Sequence, residues 1–131
     1  MPVTGLANLA VKVADVDTAA AWYSGHGFDV RNRISWNGIE RADVLLGPVQ
    51  ITLFSKAIYE TGDYSVGAEG FLHPALFCDD LDAQLAGYSV LFGPEVVSGP
   101  FGRRRIAFVE APGGIRLEFM EQLPDEEETA R

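Results

Sequence analysis

Short apolar stretches rich in β-branched and aromatic residues recur along the chain, cut by glycine, proline and acidic corners. Leu6 to Val13 is the first, bounded by Gly5 and Asp15, and predicts a strand. The alanine-rich TAAAWYSGH that follows reads as a helix, with Asp17 placed to cap free backbone N–H groups and a stop near Gly25 and Gly27. Three strands come next, FDVRNRISW, IERADVLL and VQITLF, divided by turn signals at Asn37–Gly38 and Gly47–Pro48. After a loop from Ser55 to Gly70, the series begins again. It predicts a strand Phe71 to Cys78, a helix Leu81 to Tyr88, and strands near Glu95–Val97, Arg103–Glu110 and Ile115–Glu121, the last two joined by APGG.

The two series match in detail. With Asn8 laid on His73, NLAVKVADVD lies over HPALFCDDLD, so that Ala10 falls on Ala75, Asp15 on Asp80, Asp17 on Asp82 and Tyr23 on Tyr88. One inserted residue later, Val30 falls on Val96 and QITLF on RLEFM. The fold class is therefore α+β, a βαβββ module written twice. The first module runs over about residues 5–54, the linking loop over 55–70, the second module over about 71–121 and an acidic tail over 122–131. Strand alternation divides the side chains between two faces. Ile115, Leu117 and Phe119 suit packing beneath the helices, and Arg116, Glu118 and Met120 take the other face. By the repeat, Gln50, Thr52 and Phe54 share that inner face, as do Asn8 and Ala10 on the first strand and Phe71, His73, Ala75 and Phe77 on the fifth.

Composition narrows the setting. The 131 residues are 47% hydrophobic, enough for the core of one domain. No apolar run is long enough to span a bilayer, and no basic region precedes an apolar segment at the start, so a cytoplasmic protein without membrane attachment is expected. The formal net charge of −9 repels phosphate backbones and argues against a nucleic-acid partner. Part of that charge lies in the tail QLPDEEETAR, read as fraying in solvent. Cys78 stands alone in an apolar run and reads as a buried thiol.

Residues 5–121 resemble the vicinal oxygen chelate superfamily, which includes glyoxalase, bleomycin-resistance proteins and extradiol dioxygenases. The stretches that carry the resemblance are NLAVKVADVDTAAAWYSGHGF, HPALFCDDLDA and RIAFVEAPGGIRLEFME. It implies two curved mixed sheets around a cup, and a homodimer whose sites are shared between chains. It also implies four inner positions that hold a divalent metal in the metal-using members. Carried over residue by residue, His73 and Glu118 match those positions. Asn8 stands where a histidine is usual and Thr52 where a glutamate is usual. Amide and hydroxyl are weak donors for a borderline divalent ion, so no cofactor is expected; a metal held by His73 and Glu118 is the alternative.

The expected ligand-binding residues are then polar groups on the inner strands and aromatics near the mouth. They are Asn8, Trp36, Gln50, Thr52, Phe54, Tyr59, Phe71, His73, Phe101, Arg104 and Glu118. Among Arg103, Arg104 and Arg105, alternation turns at least one to each face. Two uses of such a site remain open. One is a drug-binding protein resembling the bleomycin-resistance branch, which gives antibiotic resistance by sequestering an aromatic or polyketide-like natural product. The other is an enzyme of the same superfamily: either a metal-dependent lyase, isomerase, dioxygenase or thiol transferase, or a metal-free acid–base catalyst using His73 and Glu118.

Overall fold

The computed structural model describes residues 3–61 and 64–124. The order of elements is β1 (Val3–Lys12), α1 (Val16–Gly25), β2 (Asp29–Trp36), β3 (Ile39–Leu46), β4 (Val49–Phe54), β5 (Gly70–Cys78), α2 (Leu81–Leu85), β6 (Val90–Gly99), β7 (Gly102–Ala111) and β8 (Ile115–Gln122). This is the α+β pattern of two βαβββ modules. The chain forms two compact units, residues 8–73 and the described residues on either side of them. The unit boundaries therefore fall inside β1 and β5. Beyond Pro124 the acidic tail lies outside the described residues. No helix among the described residues is long and apolar enough to cross a membrane.

Within the first module the strand order is β2-β3-β4-β1, with β1 parallel to β4 and the other pairs antiparallel. The second module repeats it as β5-β8-β7-β6, with β5 parallel to β8. The hairpins follow from turn chemistry. Asn37 and Gly38 both take positive φ, 52° and 79°, which the two-residue β2–β3 connection requires.

The aspartates repeated between the modules do one job twice, but not as the sequence suggests. Asp15, rather than Asp17, caps α1, accepting the Thr18 N–H at 3.0 Å. Asp80 caps α2 in the same way through Ala83 N–H. The second aspartate of each pair sits in the first helical turn, where negative charge is favoured. There it anchors the helix to a strand: Asp17 accepts from Arg33 Nε on β2 at 2.8 Å, and Asp82 from Arg105 on β7 at 2.8 Å. Arg105 thereby holds the Asp82 carboxyl below its ordinary range.

Three boundaries differ from expectation. β1 starts at Val3, because Gly5 continues the strand instead of ending it. α2 stops at Leu85, where Ala86 turns extended and Gly87 takes φ +86°. β6 begins at Val90 rather than near Glu95; register shifts between Val90, Phe92 and Glu95 break the alternation by which a strand is read.

Beneath α2, Cys78, Leu81, Ala107, Val109 and Phe119 form a core with Leu76, Leu85 and Leu117 against it. Ile115, expected in that layer, stays exposed at the start of β8. Burial pushes the Cys78 thiol up, and the neighbouring carboxylates of Glu121, Asp79 and Asp80 add to it. In the first module, Ala42, Val44 and Leu53 fill the layer on the side of α1.

Candidate functional site

The opposite face of the first sheet is polar although it is buried. Strand register places Asn8, Ala10 and Lys12 of β1, Gln50, Thr52 and Phe54 of β4, and Arg41 and Asp43 of β3 on this one face. Asn8, Arg41, Asp43 and Thr52 are all buried, the last two completely. They form a single hydrogen-bonded network. The Thr52 hydroxyl donates to Asp43 Oδ1 at 2.8 Å and accepts from Asn8 Nδ2 and, at 3.2 Å, from Gln50 Nε2. Arg41 donates through Nε and Nη2 to the same carboxylate at 3.2 and 3.1 Å. Asn32 donates to Asp43 Oδ2 at 2.7 Å. It reaches inward because β2 bulges between Arg31 and Ile34, and Asn32 takes φ +55°, a conformation asparagine tolerates well. A buried carboxylate is costly unless charge and hydrogen bonds answer it, and here both do. The Arg41 guanidinium also lies 5.4 Å from the centre of the Phe54 ring.

The loop after β4 supplies a second polar pair. Tyr59 is buried, and its hydroxyl lies 3.0 Å from Nδ1 of the buried His73. The loop around Tyr59 is held by Glu60, which accepts from Lys12 Nζ at 2.9 Å, Ala57 N–H at 2.8 Å and Val66 N–H at 3.3 Å. Burial alone would raise the Glu60 carboxyl; the Ala57, Lys12 and Val66 donors outweigh it and hold it below its ordinary value.

In the other unit, Arg104 of β7 is buried, with Nε 3.2 Å from Met120 Sδ and its guanidinium 5.6 Å from the Phe101 ring centre. Phe101 meets Phe77 edge to face at 5.6 Å. Neighbouring arginines divide as alternation requires: Arg104 turns to this face, and Arg105 turns to Asp82 on α2. Glu118 is buried on β8, in register with Ala75 and Phe108.

The structure thus brings Asn8, Gln50 and Thr52 into direct contact, sets Phe54 beside Arg41, and pairs Tyr59 with His73. Phe101 and Arg104 pack together in their own unit. Trp36 lies at the end of β2 and Phe71 near the start of β5, both exposed. The sequence reading missed Arg41, Asp43 and Asn32. Alternation along IERADVLL would have put Arg41 and Asp43 on one face; only the register with Thr52 shows that this face is the polar one. A shallow cleft of about 350 Å³, lined by Thr4, Phe77, Cys78, Asp79 and Gln122, lies in the other unit. It holds none of the expected binding residues, and a thiol pushed up by burial and neighbouring carboxylates gives it little chemistry.

No family model matches the chain, and no curated protein does. Solved structures do. Methylmalonyl-CoA epimerase from Mycobacterium tuberculosis superposes with a TM-score of 0.69 at 26% identity, over 98% of this chain and 93% of that one. A glyoxalase/bleomycin resistance protein/dioxygenase superfamily member from Vibrio splendidus 12B01 gives 0.60 at 14% identity, over 89% and 99%. The chain has the fold of the vicinal oxygen chelate superfamily. The Mn(II)-bound glyoxalase from Novosphingobium aromaticivorans, similar at a TM-score of 0.60 and 19% identity over 92% of this chain and 39% of that one, shows the same fold with a metal.

Carried over from the resemblance, the superfamily's metal positions would fall at Asn8, Thr52, His73 and Glu118. The residues at the first two do not fit a tightly held borderline metal. Thr52 spends its proton on Asp43 and both lone pairs on amide N–H groups. Asn8 turns its nitrogen to Thr52, and the amide oxygen left facing away is a weak donor for such an ion.

Proposed function

We propose that the protein binds a small, largely aromatic organic molecule and holds it unchanged, as a sequestering protein resembling the bleomycin-resistance branch does. The observation that carries this reading is the Asn8–Thr52–Asp43 chain of hydrogen bonds. It occupies two of the superfamily's four ligand positions with a fixed polar wall in place of strong metal donors. Phe54, flanked by Arg41, supplies an aromatic face next to a cation on the same sheet face. Each aromatic contact with a flat guest contributes on the order of 1 kcal/mol beyond area burial. Protection of a cell then follows by mass action, with protein in excess over the toxin. The working form in this reading is a homodimer.

The test is to purify the protein without added metal and titrate a planar aromatic antibiotic such as an anthracycline, following Trp22 and Trp36 fluorescence. Both indoles are exposed. The expected result is saturable binding at about micromolar Kd, near −8 kcal/mol, with the compound recovered intact. Failure to bind any flat polycyclic compound would reject the reading, as would stoichiometric metal held through His73 and Glu118.

The 26% identity to the epimerase over nearly the whole chain favours a second reading, acid–base catalysis on an acyl thioester, which the weak donors Asn8 and Thr52 would make metal-free. His73 and Glu118 would carry the proton, and both are buried polar groups. It predicts turnover that His73→Ala and Glu118→Gln abolish while binding survives.

A further inference from the structure

Thr52 has one hydroxyl proton and two lone pairs. Asp43 as a carboxylate only accepts, so the proton goes to Asp43 Oδ1 at 2.8 Å. The two lone pairs must then be filled by donors. Asn8 and Gln50, the two side chains that meet Thr52 from the same face, therefore turn their NH₂ ends toward it. Each amide has a fixed polarity in consequence: nitrogen toward Thr52, carbonyl oxygen away. Neither Asn8 Oδ1 nor Gln50 Oε1 accepts a hydrogen bond from another described residue. Neither is among the buried side-chain atoms that lack a partner, where Gln84 Oε1 stands. Both oxygens therefore stand as acceptors that an outside donor can answer.

We infer that Asp43, acting through Thr52, sets Asn8 and Gln50 as paired hydrogen-bond acceptors, so that the site selects aromatic guests bearing outward O–H or N–H donors. The inference rests on the guest-binding reading above and names the chemical class of the guest. A diphenol or a primary aryl amine, with two donor hydrogens, satisfies both carbonyls. An ether of the same shape leaves them desolvated and unpaired, and a carboxylate or phosphate oxygen meets two more oxygens. Leaving a polar group buried without its partner costs more than the bond itself contributes, which gives such a site its discrimination. Asn8 and Gln50 are the groups that touch the guest; Asp43 and Thr52 are positioning residues, and Asn32 and Arg41 hold Asp43 in place.

The experiment has two arms. In the free protein, NMR would look for cross-peaks between the side-chain NH₂ protons of Asn8 and Gln50 and the Thr52 side chain. In the second arm, calorimetry compares a dihydroxynaphthalene, its dimethyl ether and a naphthoate, on the wild type and on Asn8→Leu. The expected result is cross-peaks from both amides, at least tenfold tighter binding of the dihydroxy compound than of either analogue, and a preference below threefold in Asn8→Leu. Absent cross-peaks overturn the assigned amide polarity. Equal or tighter binding of the ether or the naphthoate overturns the selectivity. If none of the three probes binds while the cross-peaks are present, the guest-binding reading fails and the amide polarity stands.

Discussion

Replacing Arg41 with methionine removes the charge that answers Asp43 while keeping most of the side-chain volume. Asp43 is fully buried, and in the variant it keeps only the two neutral donors, Thr52 and Asn32. Removing one partner of a buried ion pair costs about 3–5 kcal/mol, because the remaining charge is left uncompensated. The contact between the guanidinium and the Phe54 ring, 5.4 Å from its centre, adds about 0.5–1 kcal/mol. Set against a domain stability of about 5–15 kcal/mol, the loss is large. With an unfolding entropy of about 2.1 cal/mol/K per residue over 131 residues, the combined loss lowers Tm by about 13–22 °C. Urea unfolding followed by far-UV circular dichroism measures it, with an unchanged m-value as the sign that the fold is intact. The double variant Arg41→Met with Asp43→Leu supplies the decisive comparison. It leaves no charge at position 43 to answer, and exposed Asn32 can turn to water, so the main remaining cost in this network is the Thr52 hydroxyl, about 1–3 kcal/mol. The double variant is therefore expected to be more stable than Arg41→Met alone. If Arg41→Met unfolds within 1 kcal/mol of wild type, or if the double variant is the less stable of the two, the charge-answering account of this network is wrong.

Two further outcomes follow from the same geometry. Glu60 is held below its ordinary carboxylate value, so the unfolded chain takes up the proton first as acid is added; its contribution is complete above about pH 4.5 and drains as pH falls through the folded value. Glu60→Gln should lose about 1.5–3 kcal/mol at pH 7 and show a flatter loss of stability from pH 5 to pH 3 than wild type, read by thermal unfolding across that range. Gly93 has φ +92°, and a Cβ there would sit 2.7 Å from the Ile106 carbonyl oxygen and 3.1 Å from Ala107 Cα. Because both are backbone atoms, Gly93→Ala should cost at least about 2 kcal/mol, whereas alanine at Gly5, with no neighbour within 4 Å, should cost little; matched unfolding curves compare them.

Much of the architecture could be read in one dimension because it depends on local signals with short periods. The run from Leu6 to Val13, the Asn37–Gly38 turn and the APGG hairpin each mark an element by residues a few positions apart. The repeat of Asp15 and Asp17 as Asp80 and Asp82 announced two equal modules, and strand alternation placed Asn8, Gln50 and Thr52 on one face. Chemistry at single positions also spoke: an amide at 8 and a hydroxyl at 52 are weak donors in any fold. Where local signals conflicted, the reading slipped. Either Asp15 or Asp17 could cap α1 by type, and backbone geometry chose Asp15. The bulges around Phe92 hid the start of β6 by breaking its alternation.

What only the tertiary structure decided is pairing across strands. Asp43 meets Thr52, Asn32 meets Asp43, and Tyr59 meets His73 through register, a bulge and a loop path, none of which is written near the residues concerned. A polar face and an apolar face have the same period of two along a strand, so the sequence alone could not say which of them Arg41 and Asp43 would join. The direction of each amide is decided further still from the chain, by a carboxylate that cannot donate. Sequence determines which groups are available on each face; the fold determines which of them must give a proton and which must accept one.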